Sequence, residues 1–390
     1  MPGAASALRG MAWDHPRARD PLAAVSAGWT KRTGIPVHWN ARPLKDFEDQ
    51  PLEELATGHD LVLVDYPFTG VAAESGLIVA VDDWVDAAYL ADQRTHGVGP
   101  SFRSYTWEGK QWALAIDAAC QVSAVREDLW KTARGAALPA TWDAVGSLAA
   151  ACRDETSRVA LPLNANHAYC AFLSVGIGIA GADFWPEGGH VQPAAAAEAL
   201  EFLRRLVRDL HPLSRDADPI AMSDCMSETD EILYVPLMFG YSNYARPGFR
   251  AKTLHFGDAP RGRGGATGSV LGGVGLSLSA KSSLRDAAAS LAREIASREV
   301  QCGIYVRSGG QPGHGAAWDS PESNALTGRF FTSTRATMNQ AFMRPRVPGH
   351  RAFQPRAGEL IHACLWTDTM PVRECLAGYR GLVESLLSRR

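Results

Sequence analysis

Residues 60–65 are Asp-Leu-Val-Leu-Val-Asp, a short apolar run between two aspartates. A strand that is apolar on both faces is typical of a parallel sheet with helices on its two sides. Two strands precede it, at Leu8–Trp13 and 35–39, and helices are predicted between the strands at 21–31 and 47–56. This β-α-β-α-β order within about 65 residues predicts a doubly wound α/β sheet.

The alternation of strands and helices continues along the chain. Thr141 is expected to be the N-cap of a helix, and Ser282 or Ser283 the cap of a helix at 282–297. The remaining predicted elements are strands at 111–116, 121–125, 232–239 and 269–279 and helices at 126–131, 193–210 and, for the most part, 356–387.

Composition excludes several classes of protein. The 390 residues carry 39 Lys+Arg and 42 Asp+Glu, a net charge of −3, and 46% are hydrophobic. This balance argues against wholesale disorder and gives no overall attraction to nucleic acid or anionic membranes. We find no run of about 18 apolar residues and expect no membrane insertion.

The ends and the cysteines bear on location. The opening residues MPGAASALRGMAW lack a basic segment followed by an apolar run, so no signal peptide is visible. Seven cysteines without a CxxC pair are typical neither of a disulfide framework nor of a zinc knuckle. A complete sequence would therefore be expected in the cytoplasm, and an exported protein would have lost its leader.

Several phrases occur in an order that resembles the family 1 extracellular solute-binding proteins of ABC importers, the group that includes the maltose-binding protein. They are KRTGIPV (31–37), DLVLVD (60–65) followed by GLIVAVDDW (76–84), GKQWALAID (109–117), REDLW (126–130) with PATWD (139–143), GGVGLSLSAKS (272–282), and VQ (300–301) with GGQP (309–312).

The resemblance implies a class II periplasmic-binding-protein-like fold, in which two doubly wound α/β lobes are joined by hinge strands. Lobe one is expected at 1–115 plus 267–312 and lobe two at 116–266 plus 313–390, with a hinge near 115–117. It also implies an exported, monomeric protein that closes on a small polar solute in the cleft between the lobes and delivers it to an ABC permease, without a cofactor or metal and without catalysis. The alternative is a cytoplasmic enzyme or sensor with the same two-lobe fold.

Polar residues that follow predicted strands are the candidate ligand contacts, because ligands of α/β sheets bind at the carboxyl ends of strands. They are Trp13, Asp14, His15 and Arg17; Asp65 and Tyr66; Asp117, Cys120 and Gln121; Asn166, His167 and Tyr169; and Tyr241, Ser242, Asn243 and Tyr244. For the aspartates the alternative is a cap or a turn. Gly272 and Gly273 allow either close approach to a ligand or a bulge at the start of a strand.

Arginines favour an acidic or phosphorylated solute as much as a sugar. Arg17 borders the expected cleft, and Arg246, Arg250, Arg261 and Arg263 lie in a loop-rich segment with only Asp258 opposing them. Catalysis by Cys120, His167 and Asp117 is the less favoured interpretation, since no motif of a known catalytic class supports it.

Overall fold

The computed structural model describes residues 7–42, 52–133, 137–185, 190–265 and 268–388. Its strands are β1 Leu8–Trp13, β2 Val37–Arg42, β3 Leu61–Asp65, β4 Ile78–Val79, β5 Thr106–Trp107, β6 Lys110–Gln111, β7 Leu114–Ala115, β8 Ala119–Val125, β9 Arg158–Val159, β10 Ile232–Phe239, β11 His255–Gly257, β12 Leu271–Gly272 and β13 Val274–Ser279.

Its helices are α1 Pro16–Thr33, α2 Leu52–Gly58, α3 Thr69–Glu74, α4 Ala87–His96, α5 Ser101–Ser104, α6 Glu127–Ala133, α7 Trp142–Cys152, α8 Ala165–Ala180, α9 Pro193–Leu206, α10 Pro219–Glu228, α11 Arg285–Ala296, α12 Arg298–Val300, α13 Gly315–Asp319, α14 Pro321–Leu326, α15 Phe330–Ser333, α16 Arg335–Asn339, α17 His350–Trp366 and α18 Val372–Leu387.

The chain divides into two compact units. The first contains Met1–Ala119, Tyr241–Asn243 and Gly272–Leu326, and the second contains Cys120–Gly240, Tyr244–Leu271 and Thr327–Arg390. The division predicted from the sequence differs mainly at residues 313–326, which it placed in lobe two. In the structure this segment packs in the first unit, where Gly313 N donates to Ile116 O over 3.2 Å.

The sheet of the first unit has the strand order β2-β1-β3-β13-β4, and β7 pairs with β13. β1 is parallel to β2 and β3, as predicted, and β13 is antiparallel to β3. Leu61 and Leu63 of β3 belong to a core cluster with residues of α1 and α11, whereas Val62 and Val64 belong to a second cluster with Leu55. Both faces of β3 are thus covered, as its apolar sequence predicted.

The second unit has a sheet with the order β11-β8-β10-β9, to which β12 adds by pairing with β8. Residues 167–178 of helix α8 are all buried, and this helix packs against α9 and α17. Among the described residues, the segment Ala165–Phe184 alone is long and apolar enough to cross a membrane. Its most apolar stretch is 72% buried inside the protein, as in a core helix.

Several predicted bounds need correction. Helix α1 begins at Pro16 rather than residue 21, because Pro16 takes the first helical position and His15 the N-cap, while Pro21 lies inside the helix. Thr141 is the N-cap of α7, as predicted. The prediction that Ser282 or Ser283 caps α11 is wrong, since the residue at that N-cap is Leu284 and makes no side-chain cap.

Other differences concern lengths. The predicted strand 111–116 is two short strands, β6 and β7, and the predicted strand 269–279 is interrupted between β12 and β13. Helix α9 ends at Leu206, before the predicted residue 210. The predicted helix 47–56 falls partly outside the described residues, which include only its end in α2.

Candidate functional site

A buried ion pair lies at the centre of a polar cluster in the first unit. Arg17 Nε donates to Asp117 Oδ2 over 2.7 Å, and Arg17 Nη2 donates to Asp117 Oδ1 over 2.5 Å. Their side chains are 4% and 1% exposed. Burial alone would lower the pKa of Arg17, but the charge of Asp117 and its hydrogen bonds outweigh burial and raise it. Burial raises the pKa of Asp117, and the charge and hydrogen bonds of Arg17 oppose that rise. The bidentate geometry is that of a carboxylate with a guanidinium, and such a pair is neutral as a whole.

Two rings pack against this pair. His15 caps α1, and its Nδ1 accepts a hydrogen bond from Arg17 N over 3.1 Å. The guanidinium of Arg17 lies 4.6 Å from the centroid of the Tyr241 ring, a cation–π arrangement, and His15 meets the same ring edge-on at 5.0 Å. The structure thus brings four of the predicted contact residues, His15, Arg17, Asp117 and Tyr241, into one cluster.

Gly273 lies beside the backbone of the same cluster. Its φ is +122°, and a Cβ built on it would be 2.5 Å from Asp117 O and 3.0 Å from the Cα of Ala118. Glycine is required at this position by the close approach of two backbone segments. This geometry favours the interpretation of the glycine pair as a break between strands, because β12 ends at Gly272 and β13 begins at Val274.

In the second unit, a chain of side-chain hydrogen bonds ends at the first turn of α8. Arg344 Nη1 donates to Gln354 Oε1 over 2.8 Å, and Gln354 Nε2 donates to Asn166 Oδ1 over 2.6 Å. Because a guanidinium can only donate, Arg344 fixes the orientation of the Gln354 amide, which in turn fixes that of Asn166. Asn166 is left with its Nδ2 donors, which make no hydrogen bond to the residues that the structure describes.

His167, beside Asn166, presents the opposite polarity. Its Nδ1 lies 2.8 Å from Asn164 Oδ1, the oxygen that also caps α8 by accepting from His167 N. An amide oxygen cannot donate, so Nδ1 carries the proton and Nε2 carries the lone pair. Burial lowers the pKa of His167 to about 4, which keeps the ring neutral at physiological pH. The first turn of α8 thus offers amide donors and an imidazole acceptor side by side.

A family model described as "Bacterial extracellular solute-binding protein" matches residues 25–325 of the chain. The match covers more than half of the sequence. The chain belongs to the bacterial extracellular solute-binding protein family. The resemblance noted from the sequence phrases is confirmed. No curated protein matches this solute-binding protein in a sequence comparison.

Solved structures share the fold of this solute-binding protein. Maltose-bound MalE3 of T. maritima has a TM-score of 0.82 at 17% identity, covering 98% of this chain and 99% of that one. A solute-binding protein of Thermotoga lettingae TMO bound with alpha-D-tagatose has a TM-score of 0.84 at 16% identity, covering 98% of this chain and 100% of that one. A solute-binding protein from Agrobacterium radiobacter K84 in complex with ribitol has a TM-score of 0.79 at 18% identity, covering 100% of both chains. The predicted periplasmic-binding-protein-like α/β fold is confirmed.

The other predicted contact residues lie elsewhere. In the first unit, Trp13 is buried in the core cluster under α1 and Asp14 is half-exposed in an ion pair with Arg19. Asp65 is half-buried at the end of β3 and Tyr66 is fully buried. In the second unit, Gln121 is buried, and its Oε1 accepts a hydrogen bond from Ser174 Oγ over 2.5 Å.

The remaining predicted contact residues lie in α8 and in the loop after β10. Tyr169 is fully buried and packs edge-on against Phe353. Ser242 and Asn243 are buried in the first unit, and Ser242 N donates to Gln311 Oε1 over 2.9 Å. Tyr244 belongs to the second unit, where its hydroxyl donates to Asp224. These residues hold their units together internally.

The arginines of the loop-rich segment have more acidic partners than the sequence indicated. Arg250 Nε donates to Asp224 over 2.8 Å, and Arg263 pairs with Glu198. Asp258 instead accepts hydrogen bonds from Thr337. The expectation that only Asp258 opposes these arginines is wrong, because the acidic partners come from α9 and α10, which are distant in sequence.

Sequence reasoning missed the residues that orient the polar groups of α8. Asn164 precedes the helix by one position and could have been recognised as an N-cap from its residue type. Arg344 and Gln354 lie some 180 residues further along the chain, and no local pattern links them to Asn166.

Protonation of His167 predicts a pH dependence of stability. The folded pKa of about 4 lies below the ordinary value of 6.5, so only the unfolded chain gains this proton as the pH falls between these values. The neutral His167 ring contributes fully to the free energy of unfolding above about pH 6.5. At about pH 5 we expect this contribution to be smaller by about 2 kcal/mol. His350, whose pKa burial lowers to about 3, acts in the same direction.

The measurement is urea unfolding at neutral pH and at about pH 5, for the wild type and His167→Gln. The substitution is expected to remove about 2 kcal/mol of the acid-induced loss. His38→Gln, on the exposed face of β2, is the matched control and should lose stability as the wild type does. Equal acid-induced losses in the wild type and in His167→Gln would contradict the prediction.

Proposed function

We propose that this solute-binding protein binds a neutral polyhydroxylated solute, a sugar or a polyol, and delivers it unchanged to an ABC transporter. The observation that carries the proposal is the fixed polarity of Asn166 and His167 at the first turn of α8. Each hydroxyl of a sugar both donates and accepts, so it needs an acceptor and a donor at close quarters. Asn166 Nδ2 supplies the donor, and His167 Nε2 supplies the acceptor.

The charges of the first unit favour a neutral solute over an acidic one. Arg17 was the arginine that best fitted an anionic ligand, but its Nε and Nη2 already donate to the two oxygens of Asp117 in a bidentate pair. A free anion would have to displace the carboxylate of Asp117 from Arg17, and this carboxylate belongs to the same chain and is already in position. The proteins of similar fold bind maltose, alpha-D-tagatose and ribitol, all of them neutral.

Binding without catalysis is part of the proposal. Burial raises the pKa of the Cys120 thiol to about 12, so almost none of it is the reactive thiolate at neutral pH. The bases considered for it are engaged elsewhere, since Asp117 pairs with Arg17 and the His167 Nδ1 proton points to Asn164. We propose further that the protein acts as a monomer and needs neither nucleic acid nor a cofactor.

The experiment is a melting-temperature screen of the purified protein against neutral and anionic solutes. We expect maltose, tagatose, ribitol or mannitol, or a close relative of these, to raise the melting temperature. A ligand at a hundred times its Kd stabilises the folded state by about 2.7 kcal/mol. Glucose 6-phosphate, citrate and inorganic phosphate should leave it unchanged. A response confined to the anionic solutes, or none across the neutral ones, would sink the proposal.

A further inference from the structure

Two histidines and an aspartate come together in the first unit, outside the cluster around Arg17. Asp92 and His96 are one turn apart on α4, so their side chains lie on the same face of the helix. His314 comes to them from the segment before α13. One ligand atom from each of the three residues lies within 4.8 Å of the others.

One pair of ligand atoms in this group is in contact, and the other is separated by a gap. His96 Nδ1 is 2.8 Å from Asp92 Oδ1, and His314 Nε2 is 3.7 Å from Asp92 Oδ2. The two imidazole rings are nearly parallel, at 13°, with centroids 5.3 Å apart. His314 Nε2 thus points at the carboxylate but is beyond hydrogen-bond distance from it.

His314 is the buried member of the group. It is 2% exposed, and its Nε2 is buried without a hydrogen bond to the residues that the structure describes. Leaving such an atom without a partner costs free energy.

The backbone holds His314 in position opposite α4. Gly97, which follows α4, forms a β-bridge with His314, and Val98 N donates to Gly313 O over 3.0 Å. Gln301 Oε1 accepts from Gly313 N over 2.8 Å on the other side. These contacts place the imidazole before any ion arrives, which reduces the cost of ordering a site.

We propose that Asp92, His96 and His314 bind a divalent transition-metal ion, with zinc as the preferred ion. One carboxylate oxygen and two imidazole nitrogens are a ligand set that zinc accepts, with water in the fourth position, whereas magnesium and calcium prefer oxygen ligands alone. His96 is the last residue of α4, where the helix dipole favours a cation.

Binding moves a ring proton on each histidine and breaks weak contacts. His96 Nδ1 lies 2.8 Å from Asp92 Oδ1 and 3.1 Å from the carbonyl oxygen of Asp92, so it carries the ring proton, and that proton moves to Nε2 through solvent when Nδ1 binds zinc. Ala316 N now donates to His314 Nδ1 over 3.2 Å, so Nε2 carries the ring proton. When Nε2 gives its lone pair to zinc, that proton is taken up at Nδ1 through solvent and the ring stays neutral. The long contact to Ala316 is lost, and the zinc bond replaces it.

The experiment is a calorimetric titration of tag-free, chelator-treated protein with zinc chloride. We expect one site per chain in the wild type, and His96→Ala or Asp92→Asn should weaken it at least about tenfold. Both positions are partly exposed, so these variants keep the fold, and His314→Ala should abolish the site. His38→Ala, an exposed histidine of the same unit, should bind zinc as the wild type does, and magnesium chloride should give no binding.

Two outcomes overturn the proposal. The first is a wild-type protein with no zinc site tighter than roughly 1 mM, the weak end of measured affinities. The second is zinc binding that persists unchanged in His96→Ala and Asp92→Asn, which would assign the ion to free thiols such as Cys225 or Cys302. Neither outcome depends on the identity of the transported solute.

Discussion

Replacing Asp117 by asparagine is expected to lower the free energy of unfolding by about 3–5 kcal/mol, the cost of leaving a buried charge without its partner. Arg17 is 4% exposed and donates two charge-assisted hydrogen bonds to this one carboxylate. Asparagine keeps the size of the side chain but offers one oxygen and no charge. Urea unfolding, followed by tryptophan fluorescence and circular dichroism, measures the loss.

The chain supplies a matched control in the ion pair of Arg19 with Asp14. Its partners are only 2.7 Å apart, but their side chains are 47% and 48% exposed. Because water screens an exposed pair, Asp14→Asn should cost less than about 1 kcal/mol. The double variant Arg17→Met with Asp117→Leu removes both buried charges and should recover most of the loss. An Asp117→Asn protein as stable as Asp14→Asn would refute the prediction.

Replacing Asn166 by alanine is expected to weaken binding of the preferred neutral solute by about 10–100-fold. The loss follows from the removal of the Nδ2 donors, which Gln354 and Arg344 hold in one orientation. Asn166→Asp tests the polarity directly, because it keeps the shape and replaces donors by acceptors. It should bind as weakly as the alanine variant in isothermal titration calorimetry.

Two further variants locate the effect. Gln354→Ala leaves Asn166 in place but free to turn, so we expect a smaller loss of affinity that combines less than additively with Asn166→Ala. Asn339→Ala, at an exposed position of α16 in the same unit, should bind like the wild type. Wild-type affinity in both Asn166 variants would show that the first turn of α8 does not contact the solute.

The fold of this protein was largely predictable because its strands carry a strong local signal. β1 and β10 have the predicted bounds, and β3 has the covered faces that its apolar run predicted. The misplaced start of α1 has a local cause, since two prolines compete for the first position and only one sits there. The interruption after β12 depends on a backbone 150 residues away, near Asp117, and no local pattern could reveal it.

The polar residues were predictable as a set but not in their pairing. Asp117 and Arg17 were both chosen for following strands, yet nothing in the sequence pairs residues 100 positions apart. That pairing changes the chemistry of both, because a self-neutralised pair no longer recruits an anion. His167 shows the same gap, since its tautomer depends on the neighbouring cap and its pKa on burial.

The antiparallel strand β13 sets the order in which this chain can fold during synthesis. Its residue Val274 pairs with Asp65 of β3, roughly two hundred positions earlier, so the first sheet lacks its neighbour to β3 until most of the protein has left the ribosome. Folding of the second unit is also completed late, because its helices α17 and α18, which pack together, lie near the end of the chain. The nascent protein therefore stays incompletely folded late into translation, and its unpaired strand edges are open to aggregation until β13 has been made.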